Sequence, residues 1–93
     1  MPGQRATSIS TGTLVYTGEC YVHEIYVKAG DDNAEVGLAN AITTGGTSVL
    51  SLRALATSQE VRAFPGLGVY FSTGIYATTT GTAPHIEIVY SIR

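Results

Sequence analysis

Clusters of turn-forming residues ("TGE", "AGDDN", "TTGGT", "FPGLG" and "GTAP") interrupt this chain at intervals of about 8 to 14 residues, too close together for helical crossovers. That rhythm marks an all-β sandwich or barrel. The residues between the punctuators agree with it. Thr, Ser and Gly supply 31 of the 93 residues (13, 7 and 11), and Val, Ile and Tyr are frequent, so the composition favours pleated strands joined by turns. Strands are expected over 13–17, 20–28, 34–42, 48–56, 59–64, 68–80 and 85–92.

Alternation is cleanest in the last of these, where Ile86, Ile88, Tyr90 and Ile92 share one face and His85, Glu87, Val89 and Ser91 the other. Strict alternation over 20–28 sets Tyr21, His23, Ile25 and Val27 against Cys20, Val22, Glu24, Tyr26 and Lys28, which is apolar on both sides. A helix competes only at "VLSLRALA", because Leu and Ala are good helix formers; its flanks read as strand-to-strand loops, although "TSQE" also suits a helix cap with Thr57 and Glu60, and a strand is the expectation. Gly74 inside 68–80 points to a bulge, or to two strands, "VYF" and "IYA", meeting at "STG".

The expected organisation is an N-terminal arm, 1–12, followed by one small antiparallel β-sandwich or jelly-roll-like domain, 13–93. A 9.7 kDa chain builds a marginal core and gains from a staple. Cys20 is the only cysteine, so no intrachain disulfide is available. The two histidines and the scattered carboxylates show no metal-ligand spacing, and no metal or other cofactor is expected. Oligomerisation remains. Charged residues make up only 13% of the chain, and the run from Phe64 to Ile86 has none, so a large surface can be covered without desolvating ions.

With a net charge of −2 and Lys28, Arg53 and Arg62 far apart, there is no basic stripe for a phosphate backbone, and nucleic acid is not an expected partner. "MPGQRATSIS" lacks the pattern of a secretory signal and no apolar run is long enough for a transmembrane helix, so no membrane association is expected.

Candidate chemistry is sparse. His23 and His85 read as a general base or metal ligands, or as half-exposed strand histidines. Cys20 reads as a nucleophile or as a small buried hydrophobe. "GDDNAE", 30–35, concentrates oxygen ligands suited to Ca²⁺ but lacks the full alternation of an EF-hand loop; a turn whose Asp and Asn accept backbone hydrogen bonds explains it equally. No GxSxG elbow and no GxGxxG loop is present, so neither a hydrolase triad nor a phosphate cradle has a starting point, and no enzyme is expected. The six tyrosines suit core and interface positions, or the aromatic platform of a carbohydrate-binding module.

The segment "GVYFSTGIYATTTGTAPHIEIVY" resembles the ending of many small virion proteins of tailed bacteriophages: an aromatic strand, a "GIY" element, a threonine-rich turn and a final strand. The stretch "TLVYTGECYVHEIYVKAG" is similar to their opening hairpin. This resemblance to capsid decoration or cement proteins implies a small sandwich, three copies together, that sits over junctions of the shell and contacts the major capsid protein or another virion protein. It implies a location in the virion, assembled in the host cytoplasm. Neck, tail and fibre-base accessory proteins of similar size are the alternative. The expected subunit or shell contacts are Gln4 and Arg5 on the arm, Phe64 and Pro65 at the corner, and Tyr70 and Tyr76.

Overall fold

The computed structural model describes residues 4–44 and 46–93 and contains strands only: β1 (Gln4–Ile9), β2 (Thr13–Thr17), β3 (Cys20–Lys28), β4 (Ala34–Ala39), β5 (Ser48–Ala54), β6 (Gln59–Ala63), β7 (Val69–Phe71), β8 (Gly74–Thr80) and β9 (His85–Ile92). "VLSLRALA" is strand β5 and its flanking turn. The expected strand 68–80 is two strands, β7 and β8, that part at Ser72 and Thr73 and enter different sheets.

One sheet has the order β1-β9-β3-β6, with β7 pairing β3 beyond the end of β6; the other has the order β2-β8-β4-β5. Every ladder is antiparallel. The pairings β4·β5, β3·β6, β2·β8 and β1·β9 are nested. The chain therefore behaves as one long hairpin, closed by β4 and β5, that rolls up so that β9 also meets β3 and β8 also meets β4. Nested pairing followed by rolling is the jelly-roll arrangement of an antiparallel sandwich. The Cα radius of gyration, 12.4 Å, is close to the roughly 12 Å of a compact domain of this length.

The core lies between the sheets. Cys20, Val22, Ile25, Val27, Phe71, Ile86 and Ile88 from the first sheet meet Ala34, Val36, Leu38, Ile75 and Ala77 from the second, and none exceeds 1% exposure. Each buried branched or aromatic side chain contributes roughly 1.5–3 kcal/mol through lost apolar hydration. Tyr90 closes one end of the core, its ring 5.5 Å from that of Tyr16.

Strand β3 departs from strict alternation. Its register against β9 runs Val22↔Tyr90 and then Glu24↔Val89, so His23 is the extra residue of a bulge. The bulge reverses the phase: Cys20, Val22, Ile25 and Val27 share the buried face, and Tyr21, Glu24, Tyr26 and Lys28 the outward one. The apparent second apolar face of this segment is thus an effect of reading through the bulge. The shift keeps Glu24 and Lys28 on the outward face and brings Ile25 and Val27 into the core, where unbroken alternation would do the reverse.

The N-terminal segment is a second correction. Gln4–Ile9, expected within an extended N-terminal arm, 1–12, that reaches a neighbouring subunit or the shell, pairs with β9 from Gln4↔Ser91 to Ile9↔Ile86 and forms the edge of the chain's own sheet. Ile9 packs on the core, and the edge of β9 would otherwise be unpaired. Residues 1–3 of the expected arm lie outside the described residues.

Candidate functional site

The outward faces of the two sheets differ in charge. On the first sheet, Glu24, Lys28, His85 and Glu87 project outward with Tyr21 and Tyr26. Tyr26 donates to Gln59 Oε1 at 2.8 Å, and His85 Nε2 lies 2.8 Å from Glu87 Oε2. The face carries charges of both signs.

The second sheet presents almost no charge. The uncharged run Phe64–Ile86 supplies β8, whose inward residues Ile75 and Ala77 are fully buried while Tyr76, Thr78 and Thr80 point out. In register beside them stand Ala39, Gly37 and Glu35 of β4, then Ser48, Ser51 and Arg53 of β5, with Leu14 of β2 beside Tyr76. Glu35 and Arg53, opposite each other at one end, are the charged residues among them. Ser48 leans over Gly37, its Oγ 2.5 Å from the place a Cβ there would occupy. Threonines, serines, a tyrosine and a leucine can meet another protein without stripping water from ions.

A second feature lies on the polar sheet. Gln4, Tyr21, His23, Leu67, Ser91 and Arg93 line a cleft of about 250 Å³ beneath the turn after Pro65. Gly68 holds that turn with φ +83, and a Cβ there would fall 2.5 Å from the Val22 carbonyl oxygen, so only glycine fits. On the cleft floor His23 Nε2 is 2.7 Å from Ser91 Oγ, a pairing across β3 and β9 that the bulge creates by re-aiming His23. The residues stand 68 positions apart, and the alternation that places Ser91 outward is the only sequence signal for their meeting. Serine beside histidine is the start of a nucleophile–base pair, but among the described residues no carboxylate hydrogen-bonds the other ring nitrogen to orient it.

At the cleft mouth Glu19, Tyr70 and Arg93 form a clasp. Tyr70 Oη and Arg93 Nη1 both donate to Glu19 Oε1, the latter at 2.7 Å, and the Arg93 guanidinium sits 5.8 Å from the centre of the Tyr70 ring. The Tyr70 hydrogen bond first, then Arg93, holds the Glu19 carboxyl below its usual range, and the carboxylate raises the Tyr70 phenol in turn. Tyr21 packs its ring 5.4 Å from that of Tyr70.

The expected contact residues do not converge. Gln4 lines the cleft and Tyr70 guards its mouth, whereas Arg5 lies on β1 opposite Tyr90 and Tyr76 is on the neutral sheet. Phe64 packs against the core under the Arg62 guanidinium, and exposed Pro65 begins the turn above the cleft. Cys20 is fully buried, and burial pushes its thiol up to about 11, which leaves little thiolate at neutral pH. In the acidic turn, Asp32 accepts from the Thr82 backbone N–H at 2.9 Å and Asn33 from that of Ala56 at 2.8 Å, as the turn reading expects. Among the described residues no group of three His, Cys, Asp or Glu side chains is placed to hold a metal.

No family model, curated protein or solved structure matches this chain.

Proposed function

We propose that this chain is a virion structural protein of a tailed bacteriophage, a capsid decoration or cement subunit that binds across joints of the shell. One observation carries the reading: among the described residues, a helix-free sandwich with one charged face and one nearly neutral face centred on β8 of the chain's longest uncharged run. The neutral face seats on the major capsid protein or another virion protein, and the charged face looks to solvent. Binding of this kind raises the free energy needed to separate the shell subunits it bridges. The resemblance of residues 68–90 to small phage virion proteins supports the same reading.

Thr78→Glu tests it by placing a charge in the middle of the neutral face, at an exposed position. The variant is expected to keep its β-sheet circular dichroism and to lose retention on purified shells, while Thr78→Ser is retained. Retention of Thr78→Glu at the wild-type level contradicts the reading. Copies distributed over the whole shell, rather than confined to one ring, separate decoration from a neck or tail location.

The cleft favours a second reading, a carbohydrate-binding module, since Tyr21 offers a ring and His23, Ser91 and Gln4 offer hydrogen-bonding groups in one concavity. Glycan-dependent quenching of tyrosine fluorescence that disappears in Tyr21→Ala would support it, and no response across a glycan panel would remove it.

A further inference from the structure

We propose that β6 is a self-pairing edge at which two copies of this chain join their sheets in antiparallel register about Val61. The inference goes beyond shell decoration and stands whether or not the chain decorates one.

The backbone supplies the first argument. Phe64 N–H donates to the His23 carbonyl at 2.8 Å, and Ala29 N–H to that of Ser58 at 2.9 Å. In an antiparallel ladder, residues bonded to one neighbour alternate with residues whose groups point to the other side. Ser58, Glu60, Arg62 and Phe64 therefore bond toward β3, and the N–H and C=O groups of Gln59, Val61 and Ala63 point away from it. Among the described residues no strand pairs that side of β6. All five residues of β6 are exposed, Val61 to 58%, and the strand has no proline, no lysine and no bulge in its pairing with β3; its only guards against pairing are its short length and the two charges of Glu60 and Arg62.

The side chains supply the second argument, and they select the occupant. Turning the sequence Gln59-Glu60-Val61-Arg62-Ala63 antiparallel onto itself about Val61 sets Val61 against Val61 and Gln59 against Ala63, both as hydrogen-bonded pairs that satisfy the outward groups. Glu60 then faces Arg62 of the second copy, twice, in the closer non-hydrogen-bonded positions, so the strand is complementary in charge to itself. A two-fold axis requires this: one patch that matches its own copy. The other edges do not offer it. β1 has no carboxylate to set against Arg5, β7 is three residues long and uncharged, and the β2 and β5 ladders each carry a register shift.

Light scattering of the purified chain over a hundredfold dilution, combined with amide hydrogen exchange at both ends of that range, tests the proposal. The expected result is a two-copy species that dissociates on dilution, with exchange at Gln59, Val61 and Ala63 slowed only at the high concentration. Glu60→Arg, which sets like charges across the axis, is expected to weaken pairing at least about tenfold. The double variant Glu60→Arg with Arg62→Glu restores opposite charges and is expected to recover it. A one-copy mass throughout, association that leaves those amides unprotected, or a double variant no tighter than Glu60→Arg each overturns the proposal.

Discussion

Glu19, Tyr70 and Arg93 show how few side chains hold the end of β9 in place. The Arg93 backbone N–H donates to the Glu19 carbonyl at 3.1 Å while its guanidinium reaches the Glu19 carboxylate. Because the folded Glu19 carboxyl is held below the unfolded value of about 4.3, its contribution to stability is present above that pH and is lost as pH falls through the lower folded value. Urea unfolding at a series of pH values below about 5 is expected to show a steeper loss for the wild type than for Glu19→Gln, which lacks the titrating group. Equal slopes would show that the clasp does not form in solution. Gly68 makes a second prediction at this scale. Gly68→Ala combines a positive φ with a Cβ too near the Val22 carbonyl, and should lower stability by about 1–3 kcal/mol in chemical denaturation. Neither the clasp nor the Ser91–His23 pair was legible in the sequence, since their members meet only through strand order.

Strand β9 was legible in full, because unbroken alternation of Ile86, Ile88, Tyr90 and Ile92 leaves one choice of face. Strand β3 was legible in extent and wrong in phase, for a reason present in the sequence: a carboxylate at position 24 falling among core residues. A bulge is a backbone event with no residue signature of its own here, so only that electrostatic conflict announces it. Deleting His23 is predicted to remove the extra residue and leave an unbroken strand in which Cys20, Val22, Ile25 and Val27 still share the buried face, so the product should keep its NMR chemical-shift dispersion. A collapsed spectrum for the deletion would show that the bulge itself is needed for the fold. β1 escaped the sequence reading because only Ile9 marks its inward side, with Arg5 and Thr7 as the other inward positions. The division of 68–80 was signalled by Gly74, whose position at the switch between sheets gives it φ +156 and brings it against the Tyr16 carbonyl.

At the scale of the molecule, turn spacing was enough to specify an all-β sandwich, and nested pairing turns that sandwich into a jelly roll. What spacing could not supply was the distribution of the tyrosines and of charge. Tyr16 and Tyr90 stack at the end of the core, while Tyr21, Tyr26, Tyr70 and Tyr76 project outward. Within the uncharged run only β8 divides by alternation between core and neutral face, since β7 joins the other sheet, and that face is the basis for reading the chain as a subunit that works by contact. A fold of this kind hosts many functions, so the reading rests on the face and not on the architecture. The most direct measurement is the temperature at which packaged shells rupture, followed by fluorescence of a DNA-binding dye, for shells that carry the chain, lack it, or are resupplied with wild type or Thr78→Glu. The account predicts rupture at a lower temperature without the chain, recovery on adding wild type and no recovery with Thr78→Glu; the same rupture temperature in all four preparations would contradict it.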